Sequence, residues 1–217
     1  MMYNTIEKKP LSVLDSDIMI FEESKGGYRQ RTIENVQASD ATLMMAIDPH
    51  SAGEMLTWRA CRESKKPVLR VHISTSTSTT AIDSDASPCN RLTLDKTSKE
   101  MAKFLTDNKV QHLNVAGNCL DKFVKHGISQ SQLDDLVLAF LRDAIANTKD
   151  KEVGVLLHTV RSGGQSGIDE AGAKAGAQLK LKTIVRAPTR WMFRKGNGQD
   201  VSSSMVAFQS RFKENKV

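Results

Sequence analysis

The stretch Val153-Gly154-Val155-Leu156-Leu157-His158-Thr159-Val160, running straight into Arg161-Ser162-Gly163-Gly164-Gln165-Ser166-Gly167-Ile168-Asp169-Glu170-Ala171-Gly172, decides the fold. An apolar run of strand length, a glycine-rich turn and an alanine-rich helix form one strand-turn-helix unit. Such a unit aims free backbone N–H groups and a helix N-terminus at one spot, which suits an anion. Glycine permits positive φ and a close approach to the backbone. Two adjacent glycines between a strand and a helix also serve as nothing more than a tight turn, and both readings stand on sequence alone.

Working outward, four further apolar runs have strand length: Ala41-Ile47, Pro67-Ile73, Val110-Val115 and Lys182-Arg186. Several are continuous rather than alternating, as in strands covered on both faces. Helical patterns separate them. Leu133, Leu136, Val137, Phe140, Leu141, Ala144 and Ile145 mark one apolar stripe, with Ser129 or Ser131 as N-cap. Further helices are expected over 52–64 and 98–108, and the small residues Ala171, Gly172, Ala173, Ala175, Gly176 and Ala177 would let the helix after the glycine turn lie close to the sheet. Alternating strands and helices predict an α/β fold, a doubly wound, mostly parallel Rossmann-like sheet in a single domain. The Ser/Thr run 74–80, continuing to about Asn90, reads as a mobile rim loop, and Ile18-Phe21 as one possible early strand.

Composition sets limits on partners. The 217 residues are 39% apolar and 26% charged, which describes a globular chain and not a disordered one. A net charge of +6 favours anionic partners without requiring nucleic acid. No apolar run reaches the roughly 18 residues of a membrane span, and the polar start Met1-Met2-Tyr3-Asn4-Thr5 does not resemble a signal peptide, so a cytoplasmic protein with no membrane partner is expected. Cys61, Cys89 and Cys119 are widely spaced and read as reduced thiols, with no metal site expected. Of the scattered histidines only His50, in a loop beyond a strand, is a candidate for function.

Four blocks together resemble a known family. SGGQSGIDEAG (Ser162 to Gly172), YRQRTIENVQASDATLMM (Tyr28 to Met45), KPVLRVHI (Lys66 to Ile73) and LNVAG (Leu113 to Gly117) are similar to the signature blocks of the molybdenum carrier family. That family belongs to the SLOG superfamily of Rossmann-like nucleotide-binding domains, which also holds the cytokinin-activating phosphoribohydrolases and the DNA-processing protein A. In the family the SGGQ block precedes LNVAG; here it follows. The resemblance therefore implies a circular permutation, with the polar segment 147–152 joining the ancestral ends. It implies an N-terminal extension over 1–27 and a permuted SLOG-like domain over 28–217. It also implies a sheet order of 182–186, 153–160, 41–47, 67–73, 110–115, with the ligand crevice between strands 153–160 and 41–47.

On that arrangement Ser162, Gly163, Gly164, Gln165, Ser166 and Gly167 form a phosphate cradle, faced by His50, Ser51 and Gly53, with Asn114, Gly117 and Asn118 closing one end. Arg161, Arg186, Arg190 and Arg194 supply charge at the rim, and Trp191 offers a ring for stacking. The resemblance also carries departures. Related phosphoribohydrolases bear a catalytic glutamate in Pro-Gly-Gly-x-Gly-Thr-x-x-Glu; this chain has Ala52-Gly53-Glu54, and that glutamate's position falls at about Thr57. Glu54, Asp169 or Glu170 could replace it, Glu54 and Glu170 being the catalytic candidates, although acidic residues in a first helical turn also serve the helix dipole. Three readings follow: a binder that senses or sequesters a nucleotide or nucleotide-derived phosphate ligand, a nucleoside monophosphate N-glycosidic hydrolase, and a single-stranded DNA module. The nucleotide is expected as ligand and not as a resident cofactor, nucleic acid is the less favoured partner, and a homo-oligomer is compatible with all three.

Overall fold

Continuous apolar segments form the middle of the sheet because both of its faces are covered. In the computed structural model, which describes residues 19–77, 90–148 and 157–213, β2 (Ala41–Ala46) is buried at every position. Beside it lies β5 (His112–Gly117), and beyond β5 come β6 (Thr159–Ser162), β7 (Lys182–Ala187) and the edge strand β1 (Met19–Glu23). On the other side β2 pairs with β3 (Val68–Thr77), which pairs with β4 (Asn90–Leu94). The order is β1-β7-β6-β5-β2-β3-β4, and every pairing is parallel except β3 with β4. This is a mostly parallel Rossmann-like α/β sheet in one domain.

Three expectations need correction. β6 does not neighbour β2; β5 stands between them, so β6 has β5 and β7 as its parallel partners. The switch point moves with it. β2 leads through α2 (Ala52–Glu63) to β3 on one side, whereas β5 leads through the short α4 (Leu120–Val124) and α5 (Gln130–Thr148) to β6 on the other, so the crevice opens between β2 and β5. The Ser/Thr-rich run is not all loop: β3 continues to Thr77 and pairs antiparallel with β4, while 78–89 lie outside the described residues. Of the expected strand over 153–160, only its end is described; strand geometry covers Thr159–Ser162 and residues 149–156 lie outside the described part. Most of the joining segment 147–152 falls there too.

Right-handed crossovers running in opposite directions place their helices on opposite faces. Thus α1 (Tyr28–Gln37) and α2 pack together on one face, and α3 (Ser98–Asp107), α5 and α6 (Ile168–Gln178) form a row on the other. Local chemistry fixes the helix starts. α3 begins with a capping box in which Thr97 and Glu100 satisfy each other's backbone N–H groups. At α5 the Ser129 N–H donates to Gln132 Oε1 at 2.9 Å and the Gln132 N–H to Ser129 Oγ at 3.3 Å, so Ser129, not Ser131, is the cap.

The small residues of α6 act as expected. A Cβ on Gly172 would lie 2.4 Å from Val115 Cγ1, and one on Gly176 would lie 2.6 Å from Thr183 Oγ1. The helix therefore sits at a distance from β5, β6 and β7 that no larger residue allows. At the β1 edge an aromatic cluster of Phe21, Phe208 and Phe212 closes the core, with Phe208 and Phe212 carried on and beyond the C-terminal helix α7 (Met205–Ser210). None of the helices is long and apolar enough to cross a membrane among the described residues.

Candidate functional site

A cavity of about 460 Å³ lies at the C-terminal ends of β2 and β5, bordered by the starts of α1 and α2 and the turns after β5 and β6. This is where the doubly wound topology leaves a gap between diverging connections. Asn118, the first residue after β5, holds the gap together. Its Oδ1 accepts from the Asp48 N–H at 2.7 Å, and its Nδ2 lies within bonding distance of Glu54 Oε1 (2.6 Å), Ser51 Oγ (3.1 Å) and the Asp48 carbonyl (3.2 Å). One amide thus ties the 48–54 turn to the neighbouring strand.

Glu54 is 3% exposed on the cavity wall. Burial and the nearby Asp169 carboxylate push its pKa up to about 8, against the opposing effect of the hydrogen bonds from Asn118 and Ser51. Ser51-x-x-Glu54 has the spacing of a capping box, yet the Ser51 hydroxyl caps nothing and Glu54 is drawn to Asn118 instead. Across the cavity, Asp169 is buried and paired with Arg31 of α1 at 3.0 Å. Burial raises its pKa; Arg31 and the backbone N–H groups of Gln165 and Gly117 counter that.

That last contact explains the glycine turn. Three of its N–H groups are turned to internal partners: Gln165 to Asp169, Gly164 to Ser162 Oγ at 3.2 Å, and Gly167 to Gln130 Oε1 at 2.6 Å. A Cβ on Gly163 would fall 1.6 Å from Arg31 Nη1, and one on Gly164, where φ is +69°, would fall 2.6 Å from Phe208. The Gly163 face is therefore filled by the Arg31–Asp169 pair and the Gly164 face by the aromatic cluster. Of the six cradle residues only Gln165 lines the cavity. Ser162 donates to the Asp169 carbonyl, and Ser166 donates to the Arg194 carbonyl.

The other candidates divide. Ser51, Gly53, Glu54, Gly117, Asn118, Asp169, Arg194 and Thr57 are on the cavity wall, where the Thr57 hydroxyl donates back to the Gly53 carbonyl at 3.0 Å. Arg194 is committed to Asp200 at 2.8 Å, and Asp200 also accepts from the Tyr28 hydroxyl at 3.0 Å. His50 is exposed beside the cavity and Asn114 is buried in the sheet, donating to Thr42 at 3.2 Å. Glu170 faces away, held by Lys174 at 2.8 Å and Arg211 at 2.5 Å. Arg161 lies on β6, Arg186 pairs with Glu22 at 2.6 Å, and Arg190 is exposed in a short 3-10 turn that also holds Trp191. Trp191 packs on Phe208 at 5.5 Å and is no part of the cavity.

Sequence reasoning singled out neither Arg31 nor the cavity residues Tyr28, Arg29, Cys119, Asp121 and Lys122. Arg31 and Asp169 are 138 positions apart, and no local pattern links them. Cys119 is a free thiol that burial, Asp169 and Asp121 push up to about 12, so it stays protonated at neutral pH. Cys61 is free and buried; Cys89 lies outside the described residues. Among the described residues no three His, Cys, Asp or Glu side chains are grouped to hold a metal ion.

A seven-stranded doubly wound sheet with a crevice at its switch point defines a Rossmann-like domain of the SLOG kind. The chain belongs to the circularly permutated YpsA SLOG family, whose family model matches residues 12–132, more than half of its length. The match supports the circular permutation and ends ahead of the glycine turn. A search of curated proteins returns no match. The wider superfamily includes nucleotide-binding and nucleotide-processing members.

Proposed function

We propose that the crevice between β2 and β5 binds a nucleotide or a nucleotide-derived phosphate ligand, which the protein senses or sequesters. The observation that carries this reading is the cavity itself: about 460 Å³, at the switch point, with the starts of α1 and α2 on its wall. That volume suits one small ligand, since such sites run to about 300–1,000 Å³. Family membership supports the same class of ligand. Thermal shift with mono-, di- and cyclic nucleotides is the test. A rise in melting temperature with at least one of them is expected, and a flat response across the set would overturn the reading.

One observation favours a second reading, N-glycosidic hydrolysis of a nucleoside monophosphate. Glu54 lines the cavity and, with a pKa near 8, carries its proton at neutral pH. A protonated carboxyl can act as general acid. In that reaction water adds to the sugar carbon, the carbon–nitrogen bond breaks, Glu54 gives its proton to the leaving base and recovers one from the attacking water. Chromatography of protein incubated with nucleoside monophosphates separates the two. Free base and ribose 5-phosphate, absent with Glu54→Gln, would establish hydrolysis; none above buffer leaves binding alone.

A further inference from the structure

Helix starts around the crevice are unequally engaged. The first turn of α6 carries Asp169 and Glu170, and that of α2 carries Glu54. At α1 nothing comparable occurs. Gly27 provides no side-chain cap, the first turn holds no acidic residue, and a Cβ on Gly27 would meet nothing within 4 Å. The first helical bond runs from Arg31 N–H to the Gly27 carbonyl at 3.1 Å, which leaves the N–H groups of Tyr28, Arg29 and Gln30 outside the ladder. α1 is ten residues long, enough for its dipole to favour an anion there.

Two side chains point to the same place. Arg29 lies on the cavity wall, is exposed, and has no ion-pair partner among the described residues. Arg31, independently, is only 7% exposed; its Nη1 is committed to Asp169, but its buried Nε has no acceptor while the residue lines the cavity. Buried charged donors are ordinarily satisfied, so an orphan on a cavity wall marks where an acceptor is missing. The N–H groups of Gly164, Gln165 and Gly167 in the glycine turn, by contrast, are engaged within the protein.

We infer that the ligand's phosphate is held at the start of α1, by Arg29, Arg31 and the free N–H groups of the first turn, and not by the glycine turn. The inference rests on the nucleotide reading and orients the ligand. Its anionic end sits beside Arg29 and Arg31 at the start of α1, and its uncharged part reaches across the cavity towards Glu54, whose protonated carboxyl can donate a hydrogen bond.

Calorimetry on the full chain tests this with AMP, GMP, CMP and UMP, each beside its nucleoside. The wild-type protein is expected to bind at least one monophosphate about tenfold or more tighter than the matching nucleoside, and Arg29→Glu to bring the two to within about twofold. Nucleoside affinity should stay unchanged. Arg29 is exposed, so an unaltered melting temperature of the free variant shows that the fold is kept. A phosphate preference that survives Arg29→Glu would overturn the subsite while leaving the nucleotide reading intact. If wild type binds none of the eight compounds, the nucleotide reading falls and takes the subsite with it.

Discussion

At the scale of single residues, Glu54 is the side chain whose surroundings most change its chemistry. Its folded pKa of about 8 lies above the ordinary carboxyl value of 4.5. Between those values the folded state binds a proton that the unfolded chain has released. Its favourable contribution is therefore complete below about pH 4.5 and lost as pH rises through about 8. Each unit is worth about 1.4 kcal/mol, so the loss is on the order of a few kcal/mol. Glu54→Gln keeps an acceptor for Asn118 and removes the titration. The variant's melting temperature should gain on wild type as pH is raised from 5 to 9; a difference that does not change with pH would show that Glu54 titrates normally. Glu54 was legible in the sequence as a carboxylate after a strand. Its raised pKa was not, because that depends on burial in the folded chain and on the Asp169 carboxylate, which lies at a distant position in the sequence.

Among elements, α6 shows why glycine can matter inside a helix. Alanine is ordinarily better than glycine there by about 1 kcal/mol. At position 172, however, the added methyl would lie 2.4 Å from Val115 Cγ1 and 2.7 Å from its Cβ. Overpacking costs about 1–3 kcal/mol, so Gly172→Ala should lower the urea midpoint. Gly53→Ala, in α2 with nothing within 4 Å, should keep or raise it. If the two changes act alike, close approach of α6 to the sheet is not what glycine provides. The small-residue pattern of α6 could be read directly because it recurs along one short segment. The order of strands could not: apolar runs report burial on both faces, which β2 and β5 share, and say nothing about which neighbour each takes. β4 escaped for a related reason, since NRLTL alternates at the sheet edge and follows a Ser/Thr run with the composition of a loop.

For the whole molecule, the family match and the folding unit do not coincide. Residues 12–132 contain β1 through β5 but omit β6 and β7. β1 pairs with β7 alone, so the matched segment leaves that strand without a neighbour and β5 with an open edge. A chain ending at Gln132 should therefore show no cooperative thermal transition by circular dichroism, whereas the full chain should. A sharp transition in the shorter chain would mean that the N-terminal portion carries a complete core. The broad class was readable at this scale, because the blocks are contiguous in sequence. The cavity was less so, since its walls combine α1, the turn after β2, the turn after β5 and Asp169 of α6.

The pairing of β1 with β7 also sets a timetable for synthesis. Roughly 160 residues separate them, so at about 5–20 residues per second the first strand leaves the ribosome about 8–30 s before its partner exists. During that interval Phe21 has neither Phe208 nor Phe212 to cover it. Nascent chains thus expose β1 early and bury it last, a state in which a holding chaperone would find its binding segment in that strand and release it only as α7 arrives.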